Sequence, residues 1–182
     1  GQGTIEPHHP KCMDHILPEP LAHYSALVAN LARLSGAHKS GRLGDIVERD
    51  FPFDLGMLIA RRPRIEASLL IKRINRLAEF ILQYPHLFPA HIADQAFLEA
   101  FCADAPMVAD QQEDILRFLH ARPEMIALCH MNANIDNAWF WREPGGALRS
   151  GLIDWGSVGQ MSVAGSIWGC IGAAEPEMHD RH

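Results

Sequence analysis

The change of pattern after Pro123 constrains the fold most. Before that residue the apolar positions recur at helical spacing, whereas short apolar stretches follow at 125–129, 138–141 and 148–153. Short apolar stretches separated by turn residues, here Pro-Gly-Gly at 144–146, are typical of strands and hairpins. We therefore predict a strand over 125–129, then a β-hairpin, in a mainly helical fold of the α+β class.

Helical periodicity covers most of the remaining chain, and core packing explains the apolar stripes. Gly36 is expected to end the first helix, and residues 36–56 to form a charged connection. The prolines in residues 1–20 indicate an extended lead-in. The chain of 182 residues fits a single domain, 1–182. Helices are predicted over 19–35, 65–83, 91–103, 107–121 and 163–174.

Composition excludes several classes of function. The net charge is -6, with 16 Lys plus Arg against 22 Asp plus Glu, so no basic excess exists to bind nucleic acid. No apolar run approaches the roughly 20 residues that span a bilayer, so no membrane partner is expected. The four cysteines are too few and too widely spaced for a disulfide scaffold. A cytoplasmic protein with reduced thiols is the expectation.

One group of possible metal ligands lies in the lead-in. His8, His9, Cys12 and His15 are close in sequence, and imidazole and thiolate both bind zinc. Their spacing matches no familiar zinc pattern, and prolines interrupt the segment. We interpret it as an irregular polar stretch.

The chemistry is expected at two polar segments that follow predicted strands. The first contains His130, Asn132 and Asn137, and the second places Asp154 after the hairpin. Kinase loops use this spacing to present one group to a substrate hydroxyl while an amide and a carboxylate bind magnesium. Magnesium prefers such hard oxygen ligands, with phosphate and water completing its shell. Asn137 and Asp154 are therefore the candidate metal and nucleotide ligands.

These residues resemble the aminoglycoside phosphotransferase and choline kinase superfamily, whose members carry His-Gly-Asp-x-His-x-x-Asn and then Ile-Asp-Trp or Ile-Asp-Phe. The resemblance implies the helical C-terminal lobe of a protein-kinase-like fold, with the hairpin carrying the catalytic and metal-binding loops. It implies an ATP- and Mg²⁺-dependent phosphotransferase acting on a hydroxyl of a small molecule. The matching positions are His130, Asn132 at the catalytic Asp, Asn134 at the second His, Asn137, and Ile153-Asp154-Trp155.

Asn132 is the main departure from that pattern. An amide cannot accept a proton near neutral pH, although it can orient a hydroxyl. His130 and Asn132 are thus the expected catalytic-loop residues, with His130 bracing the loop and Asp136 as a weaker replacement base. The alternative function is a catalytically impaired, pseudokinase-like binding module.

The second departure is the lack of a Gly-rich loop and of a strand lysine that would cover the nucleotide. The N-terminal lobe of the family is therefore expected to be absent, with residues 1–20 as an inter-lobe linker. A missing companion lobe or a second copy of the chain is the expected macromolecular partner.

In the hairpin, Trp139 and Trp141 alternate onto one face, which we expect to pack in the core.

Overall fold

The computed structural model describes residues 3–60 and 66–181, which divide into two compact units. The first unit takes its described residues from Gly1–Asp54 and Leu119–His182, and the second from Leu55–Phe118. Helices predominate, and the strands form small antiparallel sheets. The predicted mainly helical α+β class is therefore confirmed.

The elements follow the predicted order, with additions in the stretch expected to be a connection. No helix in the described part of the chain has the length and apolar character needed to cross a membrane. The strands are β1 Thr4–Ile5, β2 Ile126–His130, β3 Ala138–Arg142, β4 Leu148–Leu152 and β5 Val158–Ser162. The helices are α1 Pro20–Lys39, α2 Ile46–Asp50, α3 Leu55–Ala60, α4 Ala67–Gln83, α5 Gln95–Asp110, α6 Gln112–Leu119, α7 Val163–Ile171 and α8 Pro176–Arg181.

Two small sheets in the first unit frame the chemistry-bearing segments. Strands β3 and β4 form the predicted hairpin, and β1 joins the outer side of β3, pairing Thr4 with Arg142. Strand β2 pairs antiparallel with β5, so that His130 lies opposite Val158. The strand that leads into the first polar segment is thus fixed to the strand that follows the second.

Helix α1 packs across the hairpin and determines which face of β3 is buried. Leu27 of α1 and Phe140 of β3 belong to one hydrophobic cluster, and both are almost fully buried. Trp139 is 45% exposed and Trp141 half-buried, so the prediction that these tryptophans face the core is wrong. Side chains alternate between the two faces of a strand, and α1 covers the face that carries Phe140. The tryptophans therefore lie on the opposite face.

Helix α1 also continues past Gly36 to Lys39, so the predicted stop there is wrong. Its last turns are fastened to β2 by side-chain hydrogen bonds. The Ser35 hydroxyl donates to the Leu128 carbonyl at 3.2 Å, and the Leu128 amide donates to His38 Nδ1 at 3.0 Å. These long-range bonds offset the poor helix propensity of glycine.

The second unit contains α3, α4, α5 and most of α6, with a small core of Ala78, Ile81 and Leu98. Glu66 caps α4 by accepting from the amides of residues 68 and 69, and the Asp94 carboxylate caps α5.

The predicted break between the helices at 91–103 and 107–121 does not occur. Helix α5 runs through Pro106 at the loss of one backbone hydrogen bond, and the chain breaks at Gln111 instead. Residues 61–65, which include the predicted start of α4, lie outside the described residues.

Candidate functional site

Two local segments meet at the end of β2, and His130 joins them. Its Nε2 lies 2.9 Å from the Ile153 carbonyl oxygen, which can only accept, so Nε2 carries the proton. Its Nδ1 accepts from the Asn132 amide at 3.2 Å. The ring is 1% exposed, so both nitrogens serve the protein itself. His130 therefore positions the loop, and its buried ring is not available to a substrate.

Asn132 is the centre of the hydrogen-bond network in this loop. Its side-chain Nδ2 donates to Asp154 Oδ2 at 3.3 Å, and its Oδ1 accepts from Asn134 at 2.8 Å. Its backbone carbonyl accepts from Asn137 Nδ2 at 2.8 Å. Asn137 and Asp154, the two residues predicted to bind metal, thus both contact Asn132.

A backbone hydrogen bond closes the base of the hairpin beside this network. The amide of Ile153 donates to the carbonyl of Asn137 at 2.9 Å. Because Ile153 precedes Asp154 directly, this bond holds the second polar segment next to the first. The sequence predicted these positions as one site, and the folded chain brings them together.

Asp154 adopts a backbone conformation that is uncommon for residues other than glycine, although Asp tolerates it better than most. Its φ of 59° and ψ of 57° lie in the left-handed region, and its side chain is exposed. Trp155 anchors the following turn, because its indole Nε1 donates to the Leu152 carbonyl at 3.0 Å and its ring packs 4.8 Å from that of His130. Residues held in sparsely populated backbone regions cluster at functional sites.

The donor set at this site fits magnesium chemistry. Asp154 offers an exposed carboxylate. The side-chain nitrogen of Asn137 donates to the Asn132 carbonyl, so its side-chain oxygen is the atom that could bind a metal. Carboxylate and amide oxygens are hard ligands, and Mg²⁺ commonly takes only one or two protein ligands beside phosphate and water. Asn137 and Asp154 therefore remain the predicted magnesium ligands, each with one side-chain oxygen to offer.

A pocket lies beside the same loop, between it and the N-terminal segment. It has a volume of about 290 Å³, and Asn134 and Asp136 form its wall on the loop side. His8 supports that wall, because its Nε2 lies 2.8 Å from the Asp136 carbonyl oxygen. The other lining residues are Lys11, Cys12, Asp14, His15 and Ala173.

The N-terminal contribution to this pocket was not expected from the sequence. Residues 1–20 were predicted to be only a lead-in, yet Asp14 is fixed there by accepting from the Tyr24 hydroxyl at 2.9 Å. Burial, reinforced by this bond and by the charge of Asp14, raises the pKa of Tyr24 well above its ordinary value. No periodicity or motif in the segment signals this role, because it depends on pairing with distant residues.

Comparison of the chain with protein-family models, with curated proteins and with solved structures gave no significant match.

Proposed function

We propose that the protein is an ATP- and Mg²⁺-dependent phosphotransferase of the kinase-like type, acting on a hydroxyl group of a small molecule. The observation that carries the proposal is the hydrogen-bond network in which Asn132 contacts both Asn137 and Asp154. The order of parts, namely a buried strand, the His130 loop, a hairpin and the Asp154 turn, also supports the C-terminal lobe of a protein-kinase-like fold.

Each residue of the network has a role in such a reaction. Asn137 and Asp154 would bind Mg²⁺, which when bound neutralises charge on the nucleotide phosphates. Asn132 would orient the acceptor hydroxyl, whose oxygen bonds to the γ-phosphorus as the bond to the leaving nucleoside diphosphate breaks. The hydroxyl proton passes to solvent, since an amide cannot accept it. Positioning dominates phosphoryl transfer, so this arrangement is competent but slow.

The neighbouring pocket supports a small acceptor. Its volume of about 290 Å³ suits a compact polar molecule, and its wall at Asn134 lies one hydrogen bond from Asn132. Asp14 and Asp136 supply carboxylates for hydroxyl or amino groups, while Lys11 adds one cation. A companion lobe or a second copy of the chain would cover the base of the nucleotide.

A binding module without phosphotransfer is the second candidate, and the state of Asn132 favours it. The side-chain amide of Asn132 donates through its nitrogen to Asp154 and accepts through its oxygen from Asn134, so both polar ends are occupied within the site. In this version Asn137 and Asp154 still bind Mg²⁺-nucleotide, but Asn132 only stabilises the loop.

Isothermal titration calorimetry with Mg²⁺-ATP tests both versions. Asp154→Asn should weaken binding by at least about tenfold, because it removes the charged ligand. The matched control is Asp45→Asn, the same charge change at an exposed position of the first unit, which should bind as the native chain does. Equal binding by the native chain and Asp154→Asn would refute the metal assignment. Radiolabel transfer to hydroxyl compounds then separates the enzyme from the binding module.

A further inference from the structure

A cluster of side chains that could bind a metal lies beside β3 of the hairpin, outside the proposed phosphotransfer site. Glu6, His9 and His23 each place one donor atom within 4.8 Å of the other two. Glu6 follows β1 and its amide donates to the Phe140 carbonyl, while His23 lies in the first turn of α1. The pairing of β1 with β3 therefore brings the N-terminal segment against the start of the helix.

The His23 ring is held in the tautomer that a metal requires. Its Nδ1 lies 2.8 Å from the Glu19 carbonyl oxygen, which can only accept, so Nδ1 carries a proton. Its Nε2 points at Glu6 Oε2 from 2.9 Å and donates to it in the metal-free protein. A bound cation would displace that proton and take the nitrogen lone pair. A ligand histidine whose other nitrogen donates to a backbone carbonyl is the usual arrangement in metal sites.

His9 supplies a nitrogen that has no other use. Its Nε2 is buried, makes no hydrogen bond, and lies 3.5 Å from Glu6 Oε2. A buried nitrogen without a partner costs free energy, and a bound cation would remove that cost. His23 is fully buried, whereas Glu6 and His9 keep 17% and 19% of their side chains exposed, so the cluster lies close to the surface.

Two of the three distances between these atoms are close to those of tetrahedral coordination, and the two imidazole nitrogens lie within 4.8 Å of each other. Zn²⁺ bonds of about 2.0–2.1 Å place tetrahedral ligand atoms about 3.3 Å apart. The distances of 2.9 Å and 3.5 Å from Glu6 Oε2 to the two imidazole nitrogens lie on either side of that value. Two imidazoles and one carboxylate, with water in the fourth position, form a recognised zinc ligand set. The nitrogen donors favour zinc over magnesium or calcium.

We propose that Glu6, His9 and His23 bind one Zn²⁺ ion, with water as the fourth ligand. The ion fastens the N-terminal segment to α1. This site is independent of the proposed phosphotransfer function, since it shares no ligand with Asn137 or Asp154.

The surrounding charges tolerate a cation there. Arg142 Nε lies 3.2 Å from Glu6 Oε1, which orients the carboxylate and leaves Oε2 toward the imidazoles. Arg142 also pairs with Glu19, so its own charge is partly balanced. Burial opposes ionisation of Glu6, but the hydrogen bond from His23 and the charges of His23 and Arg142 hold its pKa below the ordinary value. The carboxylate is thus ionised, as a metal ligand must be.

Zinc binding is measured on the full chain after chelator treatment, by competition with a chromophoric zinc indicator. The native chain should bind one Zn²⁺, while His9→Gln and Glu6→Gln should each bind at least about tenfold more weakly. His15→Gln is the matched control, an exposed histidine in the same segment that should leave affinity unchanged. Far-UV circular dichroism verifies that each variant is folded.

Co²⁺ substitution of the native chain gives a second readout that needs no variant. Bound Co²⁺ should show the intense visible absorption of a four-coordinate ion, and equimolar Zn²⁺ should remove it. The proposal is overturned if the native chain does not bind one equivalent of Zn²⁺, or if bound Co²⁺ shows only weak six-coordinate absorption. It is also overturned if folded His9→Gln binds Zn²⁺ as tightly as the native chain. The three residues would then form only an ion-paired packing cluster.

Discussion

His130 Nε2 donates to the carbonyl oxygen of Ile153 at 2.9 Å, and this bond from a buried ring links the two segments of the candidate site. The loop at 130–137 and the turn at Asp154 lie on opposite sides of a hairpin in the sequence. The buried imidazole bridges them, because its second nitrogen accepts from the Asn132 amide. The stability of the first unit and the proposed binding of Mg²⁺ should therefore depend on the same side chain.

The first prediction concerns His130→Phe. Phenylalanine keeps the shape of the ring but leaves the Ile153 carbonyl and the Asn132 amide without their partner. We expect the free energy of unfolding to fall by about 2–4 kcal/mol, and Mg²⁺-ATP binding to weaken as Asp154 loses its support. Urea unfolding followed by tryptophan fluorescence measures this, since the four tryptophans all lie in the first unit.

The control for this substitution is His15→Phe, the same change at an exposed position of the same unit. It should shift the unfolding midpoint little, because surface substitutions are usually close to neutral. An equal loss of stability in both variants would show that the two hydrogen bonds of His130 contribute nothing.

The second prediction concerns Asn132→Asp, which supplies the general base. In the metal-free protein the new carboxylate faces Asp154 across the 3.3 Å contact and loses its hydrogen bond, so stability should fall. Added Mg²⁺ should restore it by neutralising the pair. If the chain is an enzyme, phosphoryl transfer should rise by about tenfold or more. Thermal unfolding with and without Mg²⁺ and a transfer assay report the two effects separately, and a variant indifferent to Mg²⁺ would contradict the metal assignment.

Local spacing explains why the sequence was sufficient for part of the fold and site. Helical periodicity and the turn at 144–146 identify elements whose hydrogen bonds are short-range, and the hairpin is confirmed. His130, Asn132 and Asn137 fall in one short loop, so their proximity needs little tertiary information. Asp154 follows because a hairpin returns the chain to where it began.

The remaining features depend on contacts between distant positions. The exposed Trp139 shows that alternation defines two faces but not which one is buried, since α1 makes that choice. His8 contacts the Asp136 carbonyl across 128 positions, and Glu6 meets His23 only because β1 joins the sheet. Gly36 was predicted to end α1, but the helix continues to Lys39, because its last turns are hydrogen-bonded to β2.

The third prediction concerns the reactivity of the thiols. Burial raises the pKa of Cys170 to about 12 and also raises that of Cys129, where hydrogen bonds to Ser35, Ser166 and Met161 oppose the shift. Because the thiolate is the reactive form, both should resist iodoacetamide at pH 8, whereas the exposed Cys12 should be modified quickly. Peptide mass spectrometry in buffer and in urea checks this. Equal labelling of Cys12 and Cys170 in native buffer would show that the first unit is not packed as described.

The last prediction tests the interior position of Gly36. Its backbone is helical, its surroundings are exposed, and a Cβ added there would meet no atom within 4 Å. Gly36→Ala should therefore raise the free energy of unfolding by about 0.5–1 kcal/mol through reduced chain entropy.

Gly41→Ala is the control and should change stability in the opposite direction, at a residue of the same unit where an added Cβ also meets no atom within 4 Å. Gly41 has a φ of +73°, so alanine is strained there and stability should fall by about 1 kcal/mol. Urea midpoints from tryptophan fluorescence distinguish the two. A loss of stability at Gly36 would mean that α1 ends where the sequence pattern placed its end, and that the hydrogen bonds of Ser35 and His38 to Leu128 do not form.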